Sequence, residues 1–73
     1  MRTYKFRIVV ERDEDGVYVA SVPSLKGCYS QGETVDEALE NVKDAIRLHI
    51  EARKEIGEPI PIEVLIDEVE VSV

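Results

Sequence analysis

The stretch from Thr34 to Gly57 restricts the fold of this 73-residue chain more than any other. Thr34, with Glu37 three positions later, has the form of a capping box. In that motif the threonine oxygen accepts from the third helical amide and the glutamate carboxylate reaches back to the cap amide. Val35, Ala38, Leu39, Val42, Ala45, Ile46, His49, Ile50 and Arg53 then recur at three- and four-residue spacing. They form one apolar stripe about five turns long, which predicts buried Leu39 and Ile46. Asp36, Glu37 and Glu40 stand in the first turns and Arg53 and Lys54 in the last, as the helix dipole favours. Gly57 supplies a left-handed stop, and Pro59 and Pro61 bar any continuation. A helix with one long apolar stripe cannot shield it alone, so the stripe must cover a sheet.

The sheet precedes the helix. From Thr3 to Glu11, Tyr4, Phe6, Ile8 and Val10 alternate with Lys5, Arg7 and Glu11, the two-residue period of a half-buried strand. Asp13-Glu14-Asp15-Gly16 is a hairpin signal, because Gly tolerates the positive φ that such turns need. Val17 to Val22 is the returning strand. Pro23 lacks an amide hydrogen and ends the pairing, Ser24-Leu25-Lys26-Gly27 turns the chain, and Cys28 to Gln31 is short enough for an edge strand.

After the helix, Ile60, Ile62, Val64 and Ile66 alternate with Glu63 and Leu65, so a fourth strand is expected, parallel to an earlier one through a right-handed crossover. Near Asp67-Glu68 the apolar parity switches from the even to the odd positions, a bulge or a break that leaves room for an extra C-terminal strand over Val69–Val73, paired within or between chains. The expected class is α+β, a single domain over residues 1–73 ordered β-β-β-α-β, with one long helix packed on a mixed sheet.

Size and charge bound the function. A domain this short removes only about 60% of its unfolded-chain surface from water, so self-association as a dimer or tetramer, or a partner, is expected. One cysteine, Cys28, cannot close an intramolecular disulfide, which fits a reducing, cytoplasmic setting. Neither a signal peptide nor a membrane span is read. Sixteen acidic side chains face nine basic ones. Residues 57–73 hold Glu58, Glu63, Asp67, Glu68 and Glu70 and no Lys or Arg. Such a surface repels phosphate backbones, which argues against direct nucleic-acid binding, and it steers a basic protein toward it.

No catalytic constellation stands out. Asp13-Glu14-Asp15-Gly16 begins like a calcium loop, but Ser24 does not continue the ligand series, so a solvated hairpin tip is the better reading. Cys28 and His49 are too few for zinc. Cys28 reads as a small buried apolar side chain, and His49 as a partly buried histidine bonded to backbone or carboxylate. Gly16, Gly27 and Gly32 are too dispersed to cradle a phosphate and read as turn residues. Tyr4, Tyr18 and Tyr29 lack the positive groove that a base-stacking platform needs. No cofactor, metal or catalytic residue is assigned, and a residual metal-dependent phosphodiesterase ranks far behind a binding role.

Gly16-Val17-Tyr18-Val19-Ala20, then Pro23-Ser24-Leu25-Lys26-Gly27-Cys28-Tyr29-Ser30-Gln31-Gly32, then Thr34-x-x-Glu37-Ala38 with Asn41 and Ala45-Ile46, resembles the HicB-like antitoxin family. With Tyr4 and Ile60-Pro61 flanking, the likeness extends over most of the chain. It implies a truncated ribonuclease-H-like α/β fold without a working nuclease site, forming homodimers or larger assemblies. It gives Gly16, Tyr18, Pro23, Leu25, Gly27, Cys28, Ser30, Gly32, Thr34, Glu37 and Ala38 structural roles. Paired members of the family block HicA, a small basic toxin that cleaves mRNA. Asp13, Glu14, Asp15, Glu63, Asp67, Glu68 and Glu70 are the candidate partner-binding residues, acting by charge and without chemistry of their own. Longer relatives add a C-terminal DNA-binding domain. This chain ends at Val73 without such an element, so autorepression by it alone is not expected. The competing reading is a self-associating domain of unassigned role without a toxin partner.

Overall fold

The computed structural model describes residues 4–61 together with Glu70 and Ser72. Strands β1 (Val9–Arg12), β2 (Tyr18–Ser21) and β3 (Tyr29–Gly32) form an antiparallel sheet in that spatial order, and helix α1 (Val35–Glu55) follows. The class is α+β, as the alternation and the capped stripe require. The expected fourth strand beyond Pro61, with the parallel pairing that would make the sheet mixed, and the extra strand over Val69–Val73 lie outside the described residues.

The first strand is shorter than its alternation. Pairing begins at Val9, opposite Ser21, rather than at Thr3. Continuing that register would set Ile8 and Arg7 opposite Val22 and Pro23. There the ladder has already ended: the Val22 amide donates to the Cys28 carbonyl at 3.0 Å, and Pro23 has no amide hydrogen. The two-residue pattern survives as burial, with Tyr4, Phe6 and Ile8 half-buried and Lys5 and Arg7 exposed.

The first hairpin is built by Asp13. Its Oδ1 accepts from the amides of Asp15 and Val17, both at 2.9 Å, while the Gly16 amide donates to the Asp13 carbonyl at 3.1 Å. Gly16 adopts φ +81°, so the loop is a turn closed by a left-handed glycine, the three-residue form of a hairpin connection. The β2–β3 connection does more than reverse the chain. It folds inward at Leu25, whose amide donates to the Val22 carbonyl and whose carbonyl accepts from Cys28, both at 3.0 Å. Leu25 is only 1% exposed and is, with Val42, the largest fully buried side chain.

Helix α1 begins and ends as its sequence dictates. Thr34 is extended (φ −133°, ψ 163°), and its hydroxyl accepts from the Glu37 amide at 3.1 Å. The return bond differs from the expected capping box: Glu37 Oε1 accepts from the amide of Glu33, one residue before the cap, at 3.3 Å. At the other end the Glu58 amide donates to the Arg53 carbonyl and the Gly57 amide to that of Lys54, with Gly57 at φ +73°. This paired closure satisfies two of the orphan carbonyls of the last turn.

The core comprises Ala20, Val22, Leu25, Cys28, Ala38 and Val42, with Phe6, Ile8, Val10, Tyr18, Ala45 and Ile46 packed around it. The buried line of the helix is therefore Ala38 and Val42. Leu39 and Ile46, expected inside, are half-buried, because the helix axis lies over β2 and β3 and leaves its other flank overhanging the β1 side. Gly32 is buried within β3 and is not the turn residue expected. A Cβ there would stand 2.6 Å from the Ala38 nitrogen and 2.9 Å from Glu37, so a bare backbone is what lets the first helical turn seat on the sheet.

Candidate partner-binding surface

The two expected acidic patches fare differently. Asp13, Glu14 and Asp15 are exposed at the hairpin tip, but they do not act alike. The Asp13 carboxylate is bound to its own turn through two amides, whereas Glu14 and Asp15 present theirs to solvent. Of the other candidates, Glu70 is exposed, and Glu63, Asp67 and Glu68 lie outside the described residues. The hairpin tip is thus a two-carboxylate surface stiffened by a third. Among the described residues no three His, Cys, Asp or Glu side chains gather as a metal-binding group.

Basic side chains, in contrast, border an apolar groove that composition did not reveal. Tyr4, Phe6 and Ile8 on one side and Leu39, Val42 and Ile46 on the other line an open groove of about 570 Å³, with Lys5, Lys43 and Arg47 at its edges. Lys43 reaches Glu40 at 3.3 Å and Arg47 reaches Asp44 at 2.9 Å, both on the exposed helix surface. Such exposed pairs contribute little to stability, typically about 0–1 kcal/mol, and mainly shape the local field. The Tyr4 ring stacks on Phe6 at 6.3 Å, and the Lys54 ammonium lies 5.9 Å from the Tyr4 ring. Tyr29 is on the opposite sheet face from Ala20 and Tyr18, so the three tyrosines form no common platform.

His49 and Arg53 form a pair that the helical spacing contained and the sequence reading did not combine. Arg53 Nε donates to His49 Nε2 at 2.8 Å, and Arg53 Nη1 donates to the Pro59 carbonyl at 2.8 Å. His49 therefore bonds a guanidinium, not the backbone or carboxylate expected, and the pair ties the segment after the helix to its last turns. Asn41 Nδ2 donates to the Gln31 carbonyl at 2.8 Å, occupying one acceptor of the edge strand β3. That bond joins helix to sheet and removes a backbone group that another strand could pair with. Cys28 is free, 5% exposed, and its thiol is pushed up from the ordinary thiol pKa by desolvation. A buried thiol of that kind is a packing group, because the thiolate is the nucleophile. No helix among the described residues is long and apolar enough to cross a membrane.

A short antiparallel sheet under one capped helix, with an acidic hairpin tip, defines a small α+β domain. The comparisons make this specific. A family described as the HicB-like antitoxin of bacterial toxin-antitoxin systems matches residues 6–72, and the chain belongs to that family. It is 51% identical over 63 residues to a UPF0150 protein of Archaeoglobus fulgidus, covering 84% of this chain and 91% of that one. It is also 51% identical over 57 residues to a UPF0150 protein of Thermoplasma acidophilum, covering 78% and 83%. The fold is similar to the crystal structure of the N-terminal domain of the Burkholderia pseudomallei antitoxin HicB, with a TM-score of 0.71 and 38% identity over 84% of this chain and 72% of that one.

Proposed function

We propose that this protein is a non-catalytic, cytoplasmic antitoxin that neutralises a small basic mRNA-cleaving toxin of the HicA type by covering its RNA-binding surface. The likeness to the N-terminal domain of a HicB antitoxin carries the reading. The formal charge of −7 supports it, since an acidic surface competes with RNA phosphates for a basic protein. The packing role of Cys28 and the engagement of His49 by Arg53 leave neither as a ready nucleophile or base. Asp13, Glu14 and Asp15 are one candidate contact, and Glu63, Asp67, Glu68 and Glu70 are the other.

Co-expression with any small basic protein encoded beside it is the test. Growth rescue together with co-purification in moderate salt is expected, and charge reversal at Glu63, Asp67, Glu68 and Glu70 should weaken the complex. A toxic neighbour left uninhibited would overturn the antitoxin reading. A second reading, a self-associating domain of unassigned role without a toxin, is favoured by the apolar groove, whose half-buried Phe6, Ile8 and Ile46 a second copy would cover. It predicts a stable homo-oligomer with no affinity for the neighbouring protein, read by light scattering at graded concentrations.

A further inference from the structure

The C-terminal half of α1 carries a second apolar line that the core does not use. Leu48 is 68% and Ile56 69% exposed, and Ala52 between them is exposed as well. At about 100° per residue these three positions lie within about 80° of one another, one face over the last turns of the helix. Asp44, Glu51 and Glu55 border this face on the Leu48 side by the same geometry. Asp44 accepts from Arg47, but among the described residues neither Glu51 nor Glu55 enters an ion pair. Lys43, Arg47 and Lys54 project to the opposite side of the helix, and Arg53 is committed to His49 and the Pro59 carbonyl. The result is an apolar strip with an acidic border, beyond which Arg47 is paired with Asp44 and Lys54 lies over the Tyr4 ring.

We propose that Leu48, Ala52 and Ile56, with Glu51 and Glu55, form a docking surface for a basic amphipathic helix of a partner protein. The proposal rests on the reading of this chain as a binder of a basic protein and names the surface. The small side chain of Ala52 allows a second helix to approach, Leu48 and Ile56 supply apolar contact on either side of it, and the two unpaired carboxylates select lysine or arginine on the partner's border. The same border argues against a second copy of this chain. An antiparallel two-fold pairing of these faces sets each acidic flank against its twin, since an isologous contact repeats the same patch on both sides. Like charges so placed oppose association.

The surface is tested by titrating the isotope-labelled full chain with a synthetic amphipathic helical peptide, leucine on one face and lysine on the other, and following backbone amide shifts. Shifts are expected to concentrate between Leu48 and Ile56. Leu48→Ser should weaken binding by about tenfold, as loss of a central apolar anchor does, and Glu51→Gln with Glu55→Gln should flatten the salt dependence. Leu48 is exposed, so the variant chains are expected to keep the wild-type circular dichroism spectrum. Shifts centred on Asp13 to Asp15, or a Leu48→Ser chain that binds as well as the wild type, would overturn the proposal. So would a dimer that Leu48→Ser dissolves, because the strip would then belong to a second copy. Toxin rescue separates this proposal from the reading beneath it: equal rescue by wild-type and Leu48→Ser chains defeats only the surface. Failure of rescue with peptide binding at the strip intact defeats only the antitoxin role.

Discussion

The two halves of α1 belong to the same helix and live in different surroundings. From Ala38 to Ile46 the helix sits on β2 and β3, with Ala38 and Val42 buried, Gly32 cleared of a side chain to admit them, and Asn41 bonded to the Gln31 carbonyl. From Arg47 to Glu55 it buries no side chain fully: His49 bonds Arg53, Arg53 bonds the Pro59 carbonyl, Lys54 lies over the Tyr4 ring, and Leu48 is left to solvent. One half holds the fold together, and the other presents a surface. An amphipathic stripe therefore marks where a helix can bury itself, while the length of the sheet beneath sets how much of it does.

The strongest way to break this contrast is Leu25→Ala set beside Leu48→Ala. The first should cost about 2–5 kcal/mol, enough to unfold much of so small a domain, because it opens a cavity among fully buried neighbours. The second should stay within about 0.5 kcal/mol. Urea midpoints decide it, and equal losses would mean that Leu48, in the second half of the helix, is packed as tightly as the core beneath the first half. Gly32→Ala should cost about 1–3 kcal/mol, since the added carbon meets the helix backbone rather than a side chain that can swing away. A neutral result would mean that the helix is seated less closely on β3. Thr34→Ala should cost about 1 kcal/mol through loss of the cap, and Thr34→Ser far less, as thermal unfolding would show.

The smallest expected effect is a pH dependence. Burial raises the Cys28 pKa above its unfolded value, so the unfolded chain loses the thiol proton first as pH rises. The thiol's contribution is fully present below the unfolded pKa and is lost as pH climbs toward the folded value. Stability should thus fall more steeply on the alkaline side in the wild type than in Cys28→Ala, measured as the difference between their denaturation midpoints at neutral and alkaline pH. Parallel curves would place the thiol in contact with water.

Local physics made much of this legible. Thr34 and Gly57 bound the helix where capping chemistry puts them, and Asp13 to Gly16 turn where a left-handed glycine allows. Pro23 ends β2 by lacking a donor. Of the partner-binding candidates, the acidic tip is exposed as expected, yet one of its three carboxylates is spent on the turn. The groove and the bare approach at Gly32 were not legible, because each joins residues whose separation along the chain says nothing of their distance in space; the guanidinium bond to His49 lay within the four-residue helical spacing, but the second bond of Arg53, to the Pro59 carbonyl, did not.

By itself, then, the sequence determined the order of elements, their start and stop signals, the family and the excess of negative charge, all of which follow from near neighbours, periodicity or sums over the chain. Only the tertiary structure decided that Leu25 enters the core from a turn, that Ala38 and Val42 rather than Leu39 and Ile46 lie deepest, and that basic residues collect along a groove of an acidic protein. The reason is packing: which face of an amphipathic element is buried, and how deeply, depends on the shape of what lies against it, and that shape exists only once the chain has folded.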